Sequence, residues 1–223
     1  MTIANVVASA TGCAGQRCMA ASVLLAVGDT DNIVSGIRDR FAGMRAGKDI
    51  GAIISSAACE RIQGYIDRVV DKSGAELLVD GRQAVDSAAP TGGNYLGPTL
   101  IDHASPDDEV SCDEIFGPTL TVIRCDTLDE AIAIENANPY GNAAAIFTSS
   151  GEVAAYFTER ASAGMVGVNI GVPVPREPFP FGGWNASSFG EGDLTGHGSF
   201  SFWTRTKKIT TKWTDKYRSN WMS

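Results

Sequence analysis

The chain has 223 residues, of which 43% are hydrophobic and 20% charged, and its formal net charge at pH 7 is −8. This length is ample for one hydrophobic core of ordinary size, with or without an extension. Phosphate backbones and anionic membrane surfaces repel an acidic chain, so neither nucleic-acid binding nor peripheral membrane binding is predicted. A locally basic stretch over 205–218 is interpreted as a solvated face.

The cysteines and histidines argue against a disulfide framework and against a metal site. The five cysteines are scattered without a Cys-x-x-Cys pair, and His103 and His197 are the only histidines. A reducing cytoplasm is therefore the predicted compartment, and no zinc site is predicted. The apolar opening over 1–10 has no basic leading segment, so secretion is not predicted, and no apolar run is long enough to span a membrane.

Strand-like and helix-like segments alternate along most of the chain. Apolar and β-branched runs predict strands over 22–27, 75–79, 119–124, 143–148 and 165–169, the first of them buried on both faces. Apolar residues at helical spacing predict helices over 31–44, from 56 to just before Gly74 with Val70 on its apolar face, over 127–137 and over 151–160. These strand–helix–strand units predict an α/β fold with a mainly parallel sheet and flanking helices.

Two segments fall outside this alternation. Residues 81–97 are rich in glycine, proline and polar residues and predict a surface loop. Residues 171–198 have the same character, and a long irregular segment of this kind is usually functional or a connector. The alternation from Ser199 to Trp213 then predicts an edge strand, which could pair with another chain.

The most reactive setting in the sequence surrounds Cys18. Gly12 and Gly15 allow a tight turn just before it, and Arg17 is adjacent. A helix starting after the glycines would direct its free N–H groups and positive dipole end at the sulfur, and Arg17 would add a positive charge. Both favour the thiolate, which is the nucleophilic form. From the residues alone, the ordinary interpretation of a small cysteine packed in a glycine turn stays open.

Three motifs resemble the signatures of the aldehyde dehydrogenase superfamily, in the order of that family. They are Ala10 to Met19 (ATGCAGQRCM), 113–118 (DEIFGP) and 138–141 (NPYG). Four later segments are similar to the bacterial methylmalonate-semialdehyde dehydrogenase branch: 172–179 (VPVPREPF), 181–185 (FGGWN), 202–205 (FWTR) and 210–213 (TTKW). The resemblance covers almost the whole chain.

The resemblance implies an NAD-dependent, coenzyme A-acylating oxidation of malonate or methylmalonate semialdehyde. Cys18 would attack the aldehyde carbon to form a thiohemiacetal, hydride would leave to NAD, and the thioacyl group would pass to coenzyme A with loss of carbon dioxide. The backbone N–H of Cys18 would be one donor to the oxyanion that forms at the first step.

The same resemblance assigns roles to other residues. Arg17 matches an arginine that holds the substrate carboxylate, for which a guanidinium is well suited because it donates two parallel hydrogen bonds. The alternative interpretations are a surface arginine and one that only favours the thiolate of Cys18. Glu114 would accept hydrogen bonds from the nicotinamide ribose, and Phe116 would lie against the nicotinamide ring. Asn169 and Phe181 would line the substrate region.

The resemblance also predicts the domain organisation. It implies a catalytic domain over 1–190, a connector and oligomerisation strand over 191–223, and the absence of the N-terminal NAD-binding half. No Gly-x-Gly-x-x-Gly loop follows a strand. The NAD site is therefore predicted to be incomplete and the isolated chain inactive, since nothing would hold the hydride acceptor in line. A homo-oligomer, or pairing with a separate N-terminal half, is expected.

Two other classes of function remain open from the sequence. A thiol acyltransferase or esterase-like remnant would form thioesters on Cys18 without NAD. A cysteine hydrolase ordinarily needs a histidine partner, and neither His103 nor His197 lies in a recognisable motif. The third possibility is a non-catalytic assembly module that uses the terminal strand.

Overall fold

The structure is a computed structural model that describes residues 1–72 and 74–213, without the side chains of 70–72. The strands are β1 (Val23–Val27), β2 (Glu76–Val79), β3 (Thr99–Asp102), β4 (Thr119–Cys125), β5 (Tyr140–Gly141), β6 (Ala143–Ile146), β7 (Met165–Val168) and β8 (Trp184–Asn185). The helices are α1 (Thr2–Thr11), α2 (Asp31–Gly43), α3 (Ser56–Lys72), α4 (Glu109–Cys112), α5 (Leu128–Ala137), α6 (Gly151–Thr158) and α7 (Ser199–Trp203). Short 3₁₀ turns lie at Gly12–Gly15 and Gly196–Gly198.

A four-stranded sheet in the order β1-β4-β3-β2 forms the centre of the fold. Strand β4 pairs in parallel with both β1 and β3, and β2 runs antiparallel to β3. Strands β6 and β7 form a separate parallel pair, while β5 and β8 form an antiparallel one. The predicted α/β class with a mainly parallel sheet is confirmed.

Helices cover both faces of the central sheet. Consecutive residues of a strand point to opposite faces, and in β3 Leu100 packs with α1 and α2 while Ile101 packs with α3. The helix α2 buries Ile37 and Phe41 against the first face, and α3 buries Ile62 against the second. This two-sided core fixes the loops that precede β1 and β4, and those loops carry the first two motifs.

The boundaries of α2, α3 and α5 agree with the sequence patterns to within one or two residues. Thr127 caps α5 as expected, since its hydroxyl oxygen accepts a hydrogen bond from the Glu130 N–H at 3.2 Å. The Glu130 carboxylate accepts a hydrogen bond from the N–H of Asp126, the residue before the cap, at 2.8 Å. The predicted contribution of Val70 lies outside the described side chains.

Three features differ from the sequence predictions. The strand β1 is not buried on both faces, because it lies at the sheet edge and only Ala26 is buried. The apolar opening forms α1, whose Val6 and Ala10 belong to the core. The central strand β3 was not predicted, because it is only four residues long and follows a loop rich in glycine and proline.

The predicted edge strand at the C-terminal end is wrong for its first five residues, which form α7. Residues 204–213 form no strand within the described range, and 214–223 lie outside it. A strand needs a hydrogen-bonding neighbour, and the described part of the chain offers none to this segment. Pairing of 204–213 with another chain stays a prediction. No described helix is long and apolar enough to cross a membrane.

Candidate active site

Cys18 lies in an exposed turn between α1 and β1. The Ala20 N–H donates to the Arg17 carbonyl at 3.0 Å, so Cys18 occupies the first central position of this turn. No helix begins at Cys18, and the expectation that a helix start faces the sulfur is wrong: α1 ends before it at Thr11. Among the described residues, none accepts a hydrogen bond from the Cys18 N–H, which leaves this donor free.

The first and second motifs are in direct backbone contact. Cys13, Ala14 and Gly15 all have positive φ, at 53°, 55° and 70°. This left-handed run turns the chain so that a Cβ added at Gly15 would overlap the carbonyl of Gly117. Only glycine avoids both the strain and the collision. The motif that carries Cys18 is thereby held against the motif that carries Glu114.

Gln16 connects this contact to a third loop. Its amide nitrogen donates to the Ala52 carbonyl at 3.0 Å, and its amide oxygen accepts from the Ile54 N–H at 2.9 Å. The resulting cavity of about 320 Å³ is lined by Cys13, Gln16, Ala52, Ile54 and Phe116. Gln16 was not predicted as a site residue, although its place in the first motif was a signal.

Glu114 and Phe116 are suited to a cofactor that bears hydroxyl groups and a flat ring. Phe116 has φ 54° and a side chain that is exposed at the mouth of the Gln16 cavity. Glu114 is exposed, and its carboxylate makes no hydrogen bond to the described residues. A free carboxylate can accept from two ribose hydroxyls at once. The residues present therefore fit the nicotinamide end of NAD.

Arg17 folds back onto the end of α1. Its Nη2 donates to the Ala8 carbonyl at 3.0 Å, and its guanidinium covers Gly12, where a Cβ would collide with it. A cation at the last turn of a helix is favourable because the helix dipole is negative there. The Nε atom is buried without a partner among the described residues. The Nη2 group of Arg17 thus stabilises the C-terminal end of α1.

Neither of the two residues expected to line the substrate region lines the cavity beside Phe116. The Asn169 side chain donates to the Thr148 carbonyl and accepts from the Thr148 N–H, both at 2.9 Å, and so links β7 to the end of β6. Both the nitrogen and the oxygen of the Asn169 side-chain amide therefore hydrogen-bond to the backbone. Phe181 is half-exposed, and its N–H donates to the Thr195 hydroxyl. The structure does not bring Phe181 into the cavity beside Phe116.

The third motif is connected to Cys18 through the next residue along the chain, which was not predicted as part of the site. Asn142, one position after the NPYG segment, donates from its amide nitrogen to the Cys18 carbonyl at 2.7 Å. A position next to a recognised motif was the only available signal. All three motifs therefore converge on the segment 15–18.

The other cysteines differ from Cys18 in their surroundings. Cys59 and Cys125 are buried, and burial raises the pKa of both thiols above the usual value. Burial also raises the pKa of Cys112, as do the nearby carboxylates, the first of which is Asp107. No group of three metal-binding side chains occurs in the described part of the chain. There, neither histidine hydrogen-bonds to Cys18.

Comparisons with known proteins identify the family of this chain. The sequence profile of the aldehyde dehydrogenase family matches residues 1–209, and the chain belongs to that family. Malonate-semialdehyde dehydrogenase 3 of Geobacillus kaustophilus is 40% identical over 220 residues, which are 96% of this chain and 45% of the relative. A mitochondrial protein of Dictyostelium discoideum is described as a probable methylmalonate-semialdehyde/malonate-semialdehyde dehydrogenase. It is 38% identical over a region that spans 96% of this chain and 42% of that protein.

Solved structures show the same fold. A structure described as a methylmalonate-semialdehyde dehydrogenase of Sinorhizobium meliloti complexed with NAD superposes with a TM-score of 0.90 at 36% identity, over 96% of this chain and 45% of that one. The corresponding Oceanimonas doudoroffii structure gives a TM-score of 0.88 at 38% identity, over the same shares of each chain. The chain thus spans less than half the length of the relatives it matches.

Proposed function

We propose that this chain is the nucleophile-bearing part of a coenzyme A-acylating dehydrogenase for malonate or methylmalonate semialdehyde. The observation that carries the proposal is the exposed Cys18, three residues after Gly15, which the second motif contacts at Gly117. The malonate- and methylmalonate-semialdehyde names of the relatives described above favour this substrate class.

In this proposal the Cys18 sulfur attacks the aldehyde carbon, and the carbonyl electrons move onto oxygen. The Cys18 N–H, which has no partner among the described residues, donates to that oxyanion. The Nη1 group of Arg17, which does not contact Ala8, donates to the substrate carboxylate. The hydride of the former aldehyde carbon would go to bound NAD, which leaves a thioacyl group on sulfur, and this group loses its carboxylate as carbon dioxide. The coenzyme A thiol then attacks the thioester carbon, Cys18 leaves as the thiolate, and the thiol proton goes to solvent.

Glu114 and Phe116 would hold the nicotinamide end of NAD, which accepts a hydride when bound. These two residues form only one end of such a site. We therefore expect the 223 residues alone to show no useful dehydrogenase turnover, while acyl transfer to Cys18 remains. A second copy of this chain, or a chain that supplies the remaining NAD-binding half, would be its partner.

The test is acyl transfer from a p-nitrophenyl ester, which needs the thiol but not NAD. The chain should release a stoichiometric burst of p-nitrophenol and then pass the acyl group to coenzyme A. Cys18→Ser should abolish the burst, and the matched variant Cys13→Ser should keep it. A burst that survives in Cys18→Ser would refute the proposed nucleophile, and normal NADH formation by the isolated chain would refute the expected dependence on a partner.

A further inference from the structure

The hydrogen bond from Asn142 to the Cys18 carbonyl spans 124 positions of sequence. Asn142 lies between β5 and β6, and its own carbonyl accepts from the Met165 N–H at 3.3 Å. Gly183 approaches from the other side, because a Cβ there would be 3.0 Å from the Asn142 amide oxygen. The donor is therefore held by neighbouring backbone and does not hang from a free loop.

Two peptide planes determine the direction of the Cys18 side chain. The plane before it contains the Arg17 carbonyl and the Cys18 N–H, and the Ala20 N–H fixes it through the local turn. The plane after it contains the Cys18 carbonyl, which Asn142 fixes from a distance. Because φ and ψ are the only soft backbone dihedrals, pinning both planes sets the directions of the Cβ and of the free N–H.

This double restraint matters because Cys18 is not in a regular element. Exposed turns outside helices and strands are ordinarily mobile. A nucleophile and an oxyanion donor on the same residue must keep one relative orientation, since small displacements of reacting groups cost large factors in rate. The hydrogen bond from Asn142 to the Cys18 carbonyl is the long-range contact that restrains this orientation.

We propose that Asn142 is a positioning residue for Cys18, which aligns the sulfur and the Cys18 N–H for attack on a carbonyl. The proposal rests on the proposed function of Cys18. It assigns to the position after the third motif a role in the acyl-transfer steps, distinct from binding substrate or cofactor.

The test compares two reactions of the same sulfur in Asn142→Leu, which removes the donor at similar size. Acylation by p-nitrophenyl acetate passes through an oxyanion, whereas alkylation by iodoacetamide does not. We expect acylation of Cys18 to slow about tenfold or more and alkylation to change less than about twofold, because only acylation uses the aligned N–H. The matched control is Asn136→Leu, which removes a similar amide contact, to the Arg160 carbonyl at 3.0 Å.

Equal slowing of both reactions would mean a general structural role and would overturn the proposal, as would no change in either. Amide hydrogen exchange of the 17–21 segment gives a second measurement that is independent of chemistry. Exchange should quicken in Asn142→Leu, or in the smaller change Asn142→Ser if the first variant does not fold. Unchanged exchange would contradict a restraint of Cys18 by the Asn142 hydrogen bond. If the wild-type chain shows no burst but amide exchange of 17–21 quickens in Asn142→Leu, the proposed function of Cys18 is refuted. The restraint of Cys18 by Asn142 is then still supported.

Discussion

Gly15 lies directly against the carbonyl of Gly117, and this contact joins the loop of the nucleophile to the loop of the cofactor-facing residues. The two glycines belong to separate motifs: the first motif follows α1, and the second packs on α3, since a Cβ at Gly117 would collide with Ile62. Their contact makes the geometry of the site a consequence of the packing of α1 and α3 on opposite faces of one sheet.

We expect Gly15→Ala to lower the free energy of unfolding by about 3 kcal/mol, from left-handed strain plus the collision with Gly117. The matched control is Gly28→Ala, since Gly28 also has a positive φ but open space around its Cα. It should cost only about 1 kcal/mol, the strain alone. Urea unfolding followed by circular dichroism measures both, and equal losses would show that the Gly117 contact contributes nothing.

The ion pair of the buried Asp102 with the partly exposed Arg124 should make stability depend on pH. Arg124 donates to both carboxylate oxygens of Asp102, at 2.9 and 2.6 Å, and also to the exposed Asp31 at 2.8 Å. Burial alone would raise the pKa of Asp102, but the hydrogen bonds from Arg124 and from the His103 N–H hold it below its usual value. Stability from this pair is therefore present above the unfolded pKa of about 3.9 and is lost as the pH falls through the lower folded pKa.

Asp102→Asn should cost about 3 kcal/mol at pH 7, because it leaves Arg124 without its buried counter-ion. It should also remove part of the acid-induced loss of stability. Asp31→Asn alters the exposed partner of the same arginine and should cost less than about 1 kcal/mol. Urea unfolding at a series of pH values distinguishes them, and equal costs for the two variants would show that burial of Asp102 is unimportant.

The thiols should react with iodoacetamide in an order set by exposure. Cys13 and Cys18 are exposed, whereas Cys59 and Cys125 are buried with raised pKa values, so fewer of their thiolates exist at a given pH. At pH 7 the exposed pair should be labelled first, and the buried pair only on unfolding. Peptide mapping at timed intervals measures this, and early labelling of Cys59 would contradict the packing around α3.

Arg17 should act both on stability and on substrate choice. Arg17→Gln removes the hydrogen bond to Ala8 and should cost about 1 kcal/mol, while slowing acylation by mono-p-nitrophenyl malonate more than by p-nitrophenyl propanoate. Arg160→Gln is the matched control, because Arg160 donates to the Tyr156 carbonyl near the end of α6 at 3.1 Å. It should cost similar stability without altering the preference between esters. An unaltered preference in Arg17→Gln would refute the carboxylate role.

Local patterns in the sequence were enough to predict several elements. The cap of α5 depends on residues within four positions of Thr127, and the apolar spacing of α2 is equally local. The tie from Asn142 to Cys18 was not predictable, because it depends on two segments that only the folded chain brings together. The expected strand was wrong over Ser199–Trp203 for a related reason: alternation specifies a strand only where a neighbour is present to pair with it.

The most direct measurement of the central claim is the position of the acyl group on the protein. Trypsin cleaves after Arg17, so Cys13 and Cys18 fall in different peptides, 1–17 and 18–38. The chain is treated with p-nitrophenyl acetate, quenched in acid within seconds and digested for mass spectrometry. We expect the acetyl mass on the 18–38 peptide and not on 1–17. Acetyl on the Cys13 peptide alone, or spread equally over both, would contradict the assignment of Cys18 as the nucleophile.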